Sequence, residues 1–318
     1  MDFAIGQIQF YAIILCLGAL CGVFCERVGI INIGIEGMIS MGSLGYALGG
    51  ALIYKIDKTL SGSGFQLILL LFGMIFALGF SCLHGMATIK LKSDHTISGV
   101  ALNLLAVGIC TLILKNKSIA EPQGFLRFNV NEMVLGSKWW QEFISLKFFL
   151  FIAIIIAAWI ALNKTKWGLR FRSIGENPQA ADVAGINVNS YKWQGIIIAG
   201  LIAGVAGSIY SQEFRNSFKG SIQGLGFLAL AVMIMGHWRV EIIFICSIFF
   251  SIFFYLGVLA DGVGFSELTQ KWFKKDLGDY GTLIRTFPYL ITLVSLMAFS
   301  KMAPGPAASG VNYDKSKR

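Results

Sequence analysis

Few residues in this 318-residue chain could do chemistry, and the most conspicuous is a carboxylate inside an apolar run. Glu36 sits in Gly29-Ile-Ile-Asn32-Ile-Gly34-Ile-Glu36-Gly37-Met38. An ionisable group inside hydrocarbon is costly and marks a functional site by default. Asn32 and Glu36 stand four residues apart, which on a helix places them on one face. Gly34 and Gly37 loosen such a helix and free backbone groups that an amide and a carboxylate can satisfy. Two roles fit: Glu36 caps or staples a broken helix near the inner membrane surface, or it meets the substrate and gates its path.

No catalytic constellation accompanies it. The sequence has no GxxxxGK[ST] phosphate loop, no HExxH, no GxSxG and no carboxylate pair within an apolar run. Cys16, Cys21, Cys25, Cys82, Cys110 and Cys246 lie in apolar segments without a CxxC, so neither a disulfide framework nor a zinc site is expected. His84, His95 and His237 are scattered, and no shared metal site is expected of them. The chain alone should have no enzymatic activity and bind no cofactor.

Composition says what must position these residues. Hydrophobic residues make up 56% of the chain and charged residues 14%, with a mean hydropathy of +0.71. A soluble surface needs about 25% charged residues, and disordered chains are charged and poor in apolar groups. The sequence therefore reads as an all-α, polytopic helical membrane protein. The net charge of +9 lies in loops between apolar runs, where it suits anionic lipid and not nucleic acid. At about 20 residues per span, about nine transmembrane helices fit: 7–25, 29–54, 65–89, 97–114, 147–163, 194–212, 224–237, 241–260 and 284–300. The segment 224–237 is short enough to be broken or re-entrant, and 29–54 is glycine-rich enough to tilt or break. Residues 1–318 form a single transmembrane domain. Asp2 is acidic, no Lys or Arg precedes Arg27, and no A-x-A follows the first run, so no cleaved signal is expected.

Lys and Arg divide equally between the two sets of loops, so the positive-inside rule decides only by density. Lys164, Lys166, Arg170 and Arg172 form the tightest basic cluster beside a span, and the chain ends Lys315-Ser-Lys-Arg318. This places 164–193 and the C-terminus inside and the N-terminus outside. Trp139, Trp140, Trp167, Trp193, Trp238 and Trp272 fall in loops or near span ends, where the amphipathic indole favours the interface. Gly45 and Gly49 in the second span, and Gly200 and Gly204 in the sixth, have small-xxx-small spacing that lets helices pack closely. Both spans should be central.

Between Lys164 and Trp193 lies a second informative stretch. Asn177 before Pro178 is an N-cap followed by proline at N1, and Gly185 suits the C′ position. Gln179–Ala184, including Ala180 and Ala181, then makes a short capped helix of the kind that docks into a groove on another protein.

These blocks resemble a known family. Glu26–Met38 resembles the signature of ABC importer permeases of the ribose and branched-chain amino acid type, and most closely their nucleoside and simple-sugar branch. Gly175–Ile186 resembles that family's cytoplasmic coupling segment, and Gly224–Gly236 its third recurring block. The order of blocks is also the family's. His237-Trp-Arg-Val-Glu241 departs from it, since many relatives carry a proline there. The resemblance implies a homo- or heterodimeric permease with a second permease subunit, cytoplasmic ATPase subunits that bind the ATP, and an external substrate-binding lipoprotein. It makes 164–193 a cytoplasmic coupling loop, with Asn177, Pro178, Ala180, Ala181 and Gly185 meeting the ATPase. It implies a nucleoside or simple sugar as substrate, with a flavin-type vitamin also open. An ion-coupled secondary transporter of a small polar solute is the alternative, though one buried glutamate suits ion coupling poorly.

Overall fold

The computed structural model describes residues 2–56, 64–116, 143–214, 220–260 and 305–314, with isolated positions between and beyond them. All regular elements among the described residues are helical, as lipid requires of a backbone that must satisfy its own polar groups. They are α1 (Asp2–Glu26), α2 (Ile35–Ile56), α3 (Gly64–Gly85, extended by a π-helical turn to Lys90), α4 (His95–Leu114), α5 (Leu146–Lys164), α6 (Lys166–Glu176), α7 (Pro178–Val183), α8 (Val188–Glu213), α9 (Leu225–Met235) and α10 (Val240–Ala260). Seven of them, α1–α5, α8 and α10, are long and apolar enough to span a membrane. Of the nine expected spans, seven are full-length helices among the described residues and 224–237 is the shorter α9. Most of the expected span 284–300 lies outside the described residues, as do Trp139, Trp140 and Trp272.

α1 forms the centre. Of its most apolar window 94% is buried, against 78% for α2 and α8 and 22–39% for α3, α4, α5 and α10. The outer four turn Leu67, Ile75, Leu104, Phe149 and Ile245 outward, as a lipid-facing surface should. α1 packs on α8, α9 and α10, while α2 and α8 pack on each other and both on α3. The glycines permit this. A Cβ on Gly45 would lie 2.8 Å from the Phe72 carbonyl, and one on Gly49 3.1 Å from Leu69. A Cβ on Gly200 would lie 2.6 Å from the Ser81 Cβ, and one on Gly204 would collide with the Met74 backbone. Attraction between helices in lipid rests on such packing, because lipid tails remove the hydrophobic drive.

Two elements are discontinuous. α2 starts only at Ile35, after a non-helical stretch that follows the turn at Arg27–Gly29. Asn32 precedes the helix, so the expected shared helical face of Asn32 and Glu36 does not form. Ile35 lies against Gly18 and Gly22 of α1, four and eight residues before that helix ends at Glu26. At ~1.5 Å per residue, α2 begins about 6–12 Å inside the bundle, deeper than the interface expected for Glu36. α9 is the counterpart. Its 11 residues reach about 16 Å, roughly half the hydrocarbon thickness. It returns to the face where α1 ends, and the turn after it packs on Glu26 and Arg27.

Candidate functional site

The N-termini of α2 and the half-length α9 meet at Glu36. α9 opens at Gly224, whose left-handed φ of 86° suits glycine and which has no side chain to cap the helix. Glu36 supplies the cap from α2. Its Oε1 accepts from the Gly224 amide at 2.9 Å and the Ser221 hydroxyl at 3.2 Å, and its Oε2 accepts from the Gly226 amide at 2.8 Å. Glu36 also lies in the first turn of its own helix. One carboxylate, 5% exposed, therefore stands at the positive ends of two helix dipoles that would otherwise face each other uncompensated. Discontinuous helices whose N-termini converge at mid-membrane are a recurring way to build a transport path.

The non-helical stretch before α2 has its own supports. The Ile31 amide donates to His95 Nδ1 at 3.2 Å, and the Ile31 carbonyl meets His84 Nε2 at 3.1 Å. These partners fix the tautomers: His84 carries its proton on Nε2 and His95 on the nitrogen away from Ile31. His84 Nδ1 then accepts from the Ser98 hydroxyl at 3.0 Å. Asn103 bridges the break, with Nδ2 donating to the Ile33 carbonyl at 3.0 Å and Oδ1 accepting from the Gly37 amide at 2.8 Å. Sequence reasoning missed His84, His95 and Asn103; the available signal was three polar residues in or beside otherwise apolar spans. Asn32 is fully buried and does not reach Glu36. Its Nδ2 donates to the sulfurs of Cys25 and Met38 at 3.3 and 3.5 Å.

At the α1 end of the bundle, α9 leaves through a strained turn. His237 and Trp238 both take a φ of 54°, a left-handed conformation that bulky residues rarely adopt. Trp238 is held by its Nε1, which donates to Glu26 at 2.6 Å, and by its carbonyl, which accepts from Arg27 at 3.0 Å. Trp238 is thus buried and structural, which corrects its assignment to the interfacial belt. Burial, and then the nearby Arg172, lowers the pKa of the Arg27 guanidinium from its ordinary value, with Glu176 opposing.

α6 and α7 lie on the same face. α6 buries Gly168, Phe171, Ile174 and Gly175, and Trp167 packs at a tilt on Phe171 while donating to Gln194 at 2.7 Å. Asn177 caps α7 by accepting from the Ala180 amide at 3.0 Å, with Pro178 at N1. At the other end Gly185 has a φ of 82°. Its amide donates to the Asp182 carbonyl and that of Ile186 to the Ala181 carbonyl, both at 3.0 Å, a closed Schellman end. One expectation needs correction. Ala181 is 5% exposed and faces the permease together with Pro178, three residues earlier on the same helical face. The outward face is made by Ala180, Val183 and Ala184.

Among the described residues no group of His, Cys, Asp or Glu could hold a metal. The fold and the paired helix N-termini define a multi-pass membrane transport subunit. The chain belongs to the family described as branched-chain amino acid transport system / permease component, whose model matches residues 4–275. It is a protein of the cytoplasmic membrane. The nucleoside ABC transporter permease protein NupC of Lactococcus lactis is 34% identical over all of this chain and 98% of its own length. The guanosine ABC transporter permease protein NupQ of Bacillus subtilis is 34% identical over 97% of this chain and 95% of its own. More distantly, the L. lactis nucleoside permease NupB is 24% identical over 70% of this chain and 63% of its own length.

Proposed function

We propose that this chain is the membrane-spanning permease of an ABC importer that carries nucleosides inward, with ATP bound and hydrolysed by separate cytoplasmic subunits. The observation that carries the reading is full-length similarity to two permeases named for nucleoside and guanosine transport. The chain itself acts as a path and not as an enzyme. NupC and NupB are two different permease chains of one organism, both similar to this one, which supports pairing with a second, non-identical permease subunit. A substrate-binding lipoprotein delivers the nucleoside from outside.

The site supports this reading. Both oxygens of Glu36 accept from donors of α9 and the segment before it, so this carboxylate, buried within a span, serves as a helix cap. Energy then enters from the ATPase, and the outward face of α7 around Val183, 75% exposed, is the docking surface. The test is uptake of radiolabelled guanosine into proteoliposomes holding the assembled transporter and its binding protein. Uptake should require ATP on the ATPase side and should resist a large excess of ribose. Uptake driven by an ion gradient without ATPase would contradict the proposal.

A further inference from the structure

Residues 305–314 lie on the face where α1 ends and α6 and α7 lie, and they cross it in contact with the turns after α9 and α1, the end of α6 and the start of α4. Gly305 lies against the Trp238 ring, where a Cβ would come within 3.0 Å of it; this is the turn that leaves α9. The Ala308 amide donates to the Gly175 carbonyl at 2.8 Å, at the end of α6. The Gly310 amide donates to the Gly29 carbonyl at 3.2 Å, at the turn between α1 and the break in α2. Asn312 then sits between two partners: its Nδ2 donates to the Lys92 carbonyl at 2.7 Å, and its Oδ1 accepts from His95 Nε2 at 3.0 Å. Lys92 also pairs with Asp314 at 3.2 Å. Tyr313 lines a cleft with Asp182, Gly185 and Asn187 at the end of α7.

His95 is joined at both ring nitrogens, to the Ile31 amide on one side and to Asn312 on the other. A planar ring bonded at both ends transmits displacement better than a flexible chain. We propose that residues 305–314 form a strap that carries movement of α6 and α7 to the break before α2, and that His95 and Asn312 are positioning residues for transport through this strap. The proposal rests on the reading of α7 as the ATPase contact. Their bond lies away from that contact and from Glu36, so losing it should separate hydrolysis from transport while the α7 contact and the Glu36 cap stay in place.

The test uses the full transporter in proteoliposomes and reads guanosine taken up per ATP hydrolysed for wild type, His95→Ala, Asn312→Ala and the double variant. Each single variant should keep its ATPase and its hydrolysis while the uptake ratio falls about tenfold, a usual size for coupling between two sites. The double variant should be no worse than either single one, because the two residues act as one link. Asn312→Asp, which keeps the acceptor for His95, should restore most of the ratio. Asn312 is half-buried in a surface segment, so its variants carry the test if His95→Ala folds poorly. Wild-type ratios in both Asn312→Ala and His95→Ala would overturn the strap alone, as would losses in the double variant that simply multiply. A wild-type chain that binds no ATPase would overturn the functional reading and the strap with it.

Discussion

Glu36 and Gly226 lie on different helices, yet the Glu36 carboxylate caps the helix whose first turn holds Gly226, at 2.8 Å. The contact is tight in backbone as well. A Cβ on Gly226 would come within 2.6 Å of the Glu36 amide nitrogen and Cα. The carboxylate therefore replaces the capping side chain that Gly224 lacks and holds two helix starts together inside the membrane.

Replacing Glu36 should expose this directly. Donors reach both oxygens, and the NH2 of an amide cannot accept. Glu36→Gln should therefore cost about 1–3 kcal/mol, and Glu36→Leu more, because every donor is then left unpaired. Thermal unfolding of the purified permease in detergent checks the order wild type, Gln, Leu. A Gln variant as stable as wild type would remove the capping role.

Asn103 should matter nearly as much, because it joins the two sides of the break before α2. Asn103→Leu leaves the Ile33 carbonyl and the Gly37 amide without their partner, at about 1–3 kcal/mol each. The expected result is a lower melting temperature together with faster proteolysis at 27–34 than in wild type.

Gly204→Leu should separate α8 from α3, since its Cβ has no room beside the Met74 backbone. Gly79→Ala is the control, because nothing lies within 4 Å of the added methyl. Membrane yield and thermal stability should collapse for the first and stay level for the second.

Asn177→Ala should remove one capping bond and cost α7 about 1 kcal/mol. The effect should be local: hydrogen exchange should quicken at Gln179–Val183, with the melting of the membrane helices unchanged.

Much of this architecture was legible because its signals are local. The capped helix after Asn177 follows from Asn, Pro and Gly at fixed offsets, and the structure places all three in the geometry those residue types prefer. The shortness of 224–237 likewise anticipated the half-length α9. Other features depend on residues distant in sequence. Asn32 and Glu36 looked like one helical face because the 3.6-residue period was extended across Gly29–Gly34, where the backbone instead bonds to His84, His95 and Asn103. Trp238 looked like an interfacial anchor because its partner, Glu26, lies 212 residues away. The inward turn of Ala181 could not be read from a helix six residues long, which has too few positions to show an amphipathic period.

The most direct test of the account is whether the outward face of α7 binds an ATPase. Co-purification of the transporter's ATPase subunit should be compared for wild type, Val183→Glu and Asn189→Ala, the last an exposed position in the first turn of α8. Val183→Glu should lose the ATPase and substrate-stimulated ATP hydrolysis while the permease keeps its own melting temperature, because the side chain is already solvent-facing. Asn189→Ala should retain both. Equal ATPase recovery and equal hydrolysis for wild type and Val183→Glu would contradict the assignment of α7, and with it the route by which ATP is held to drive this permease.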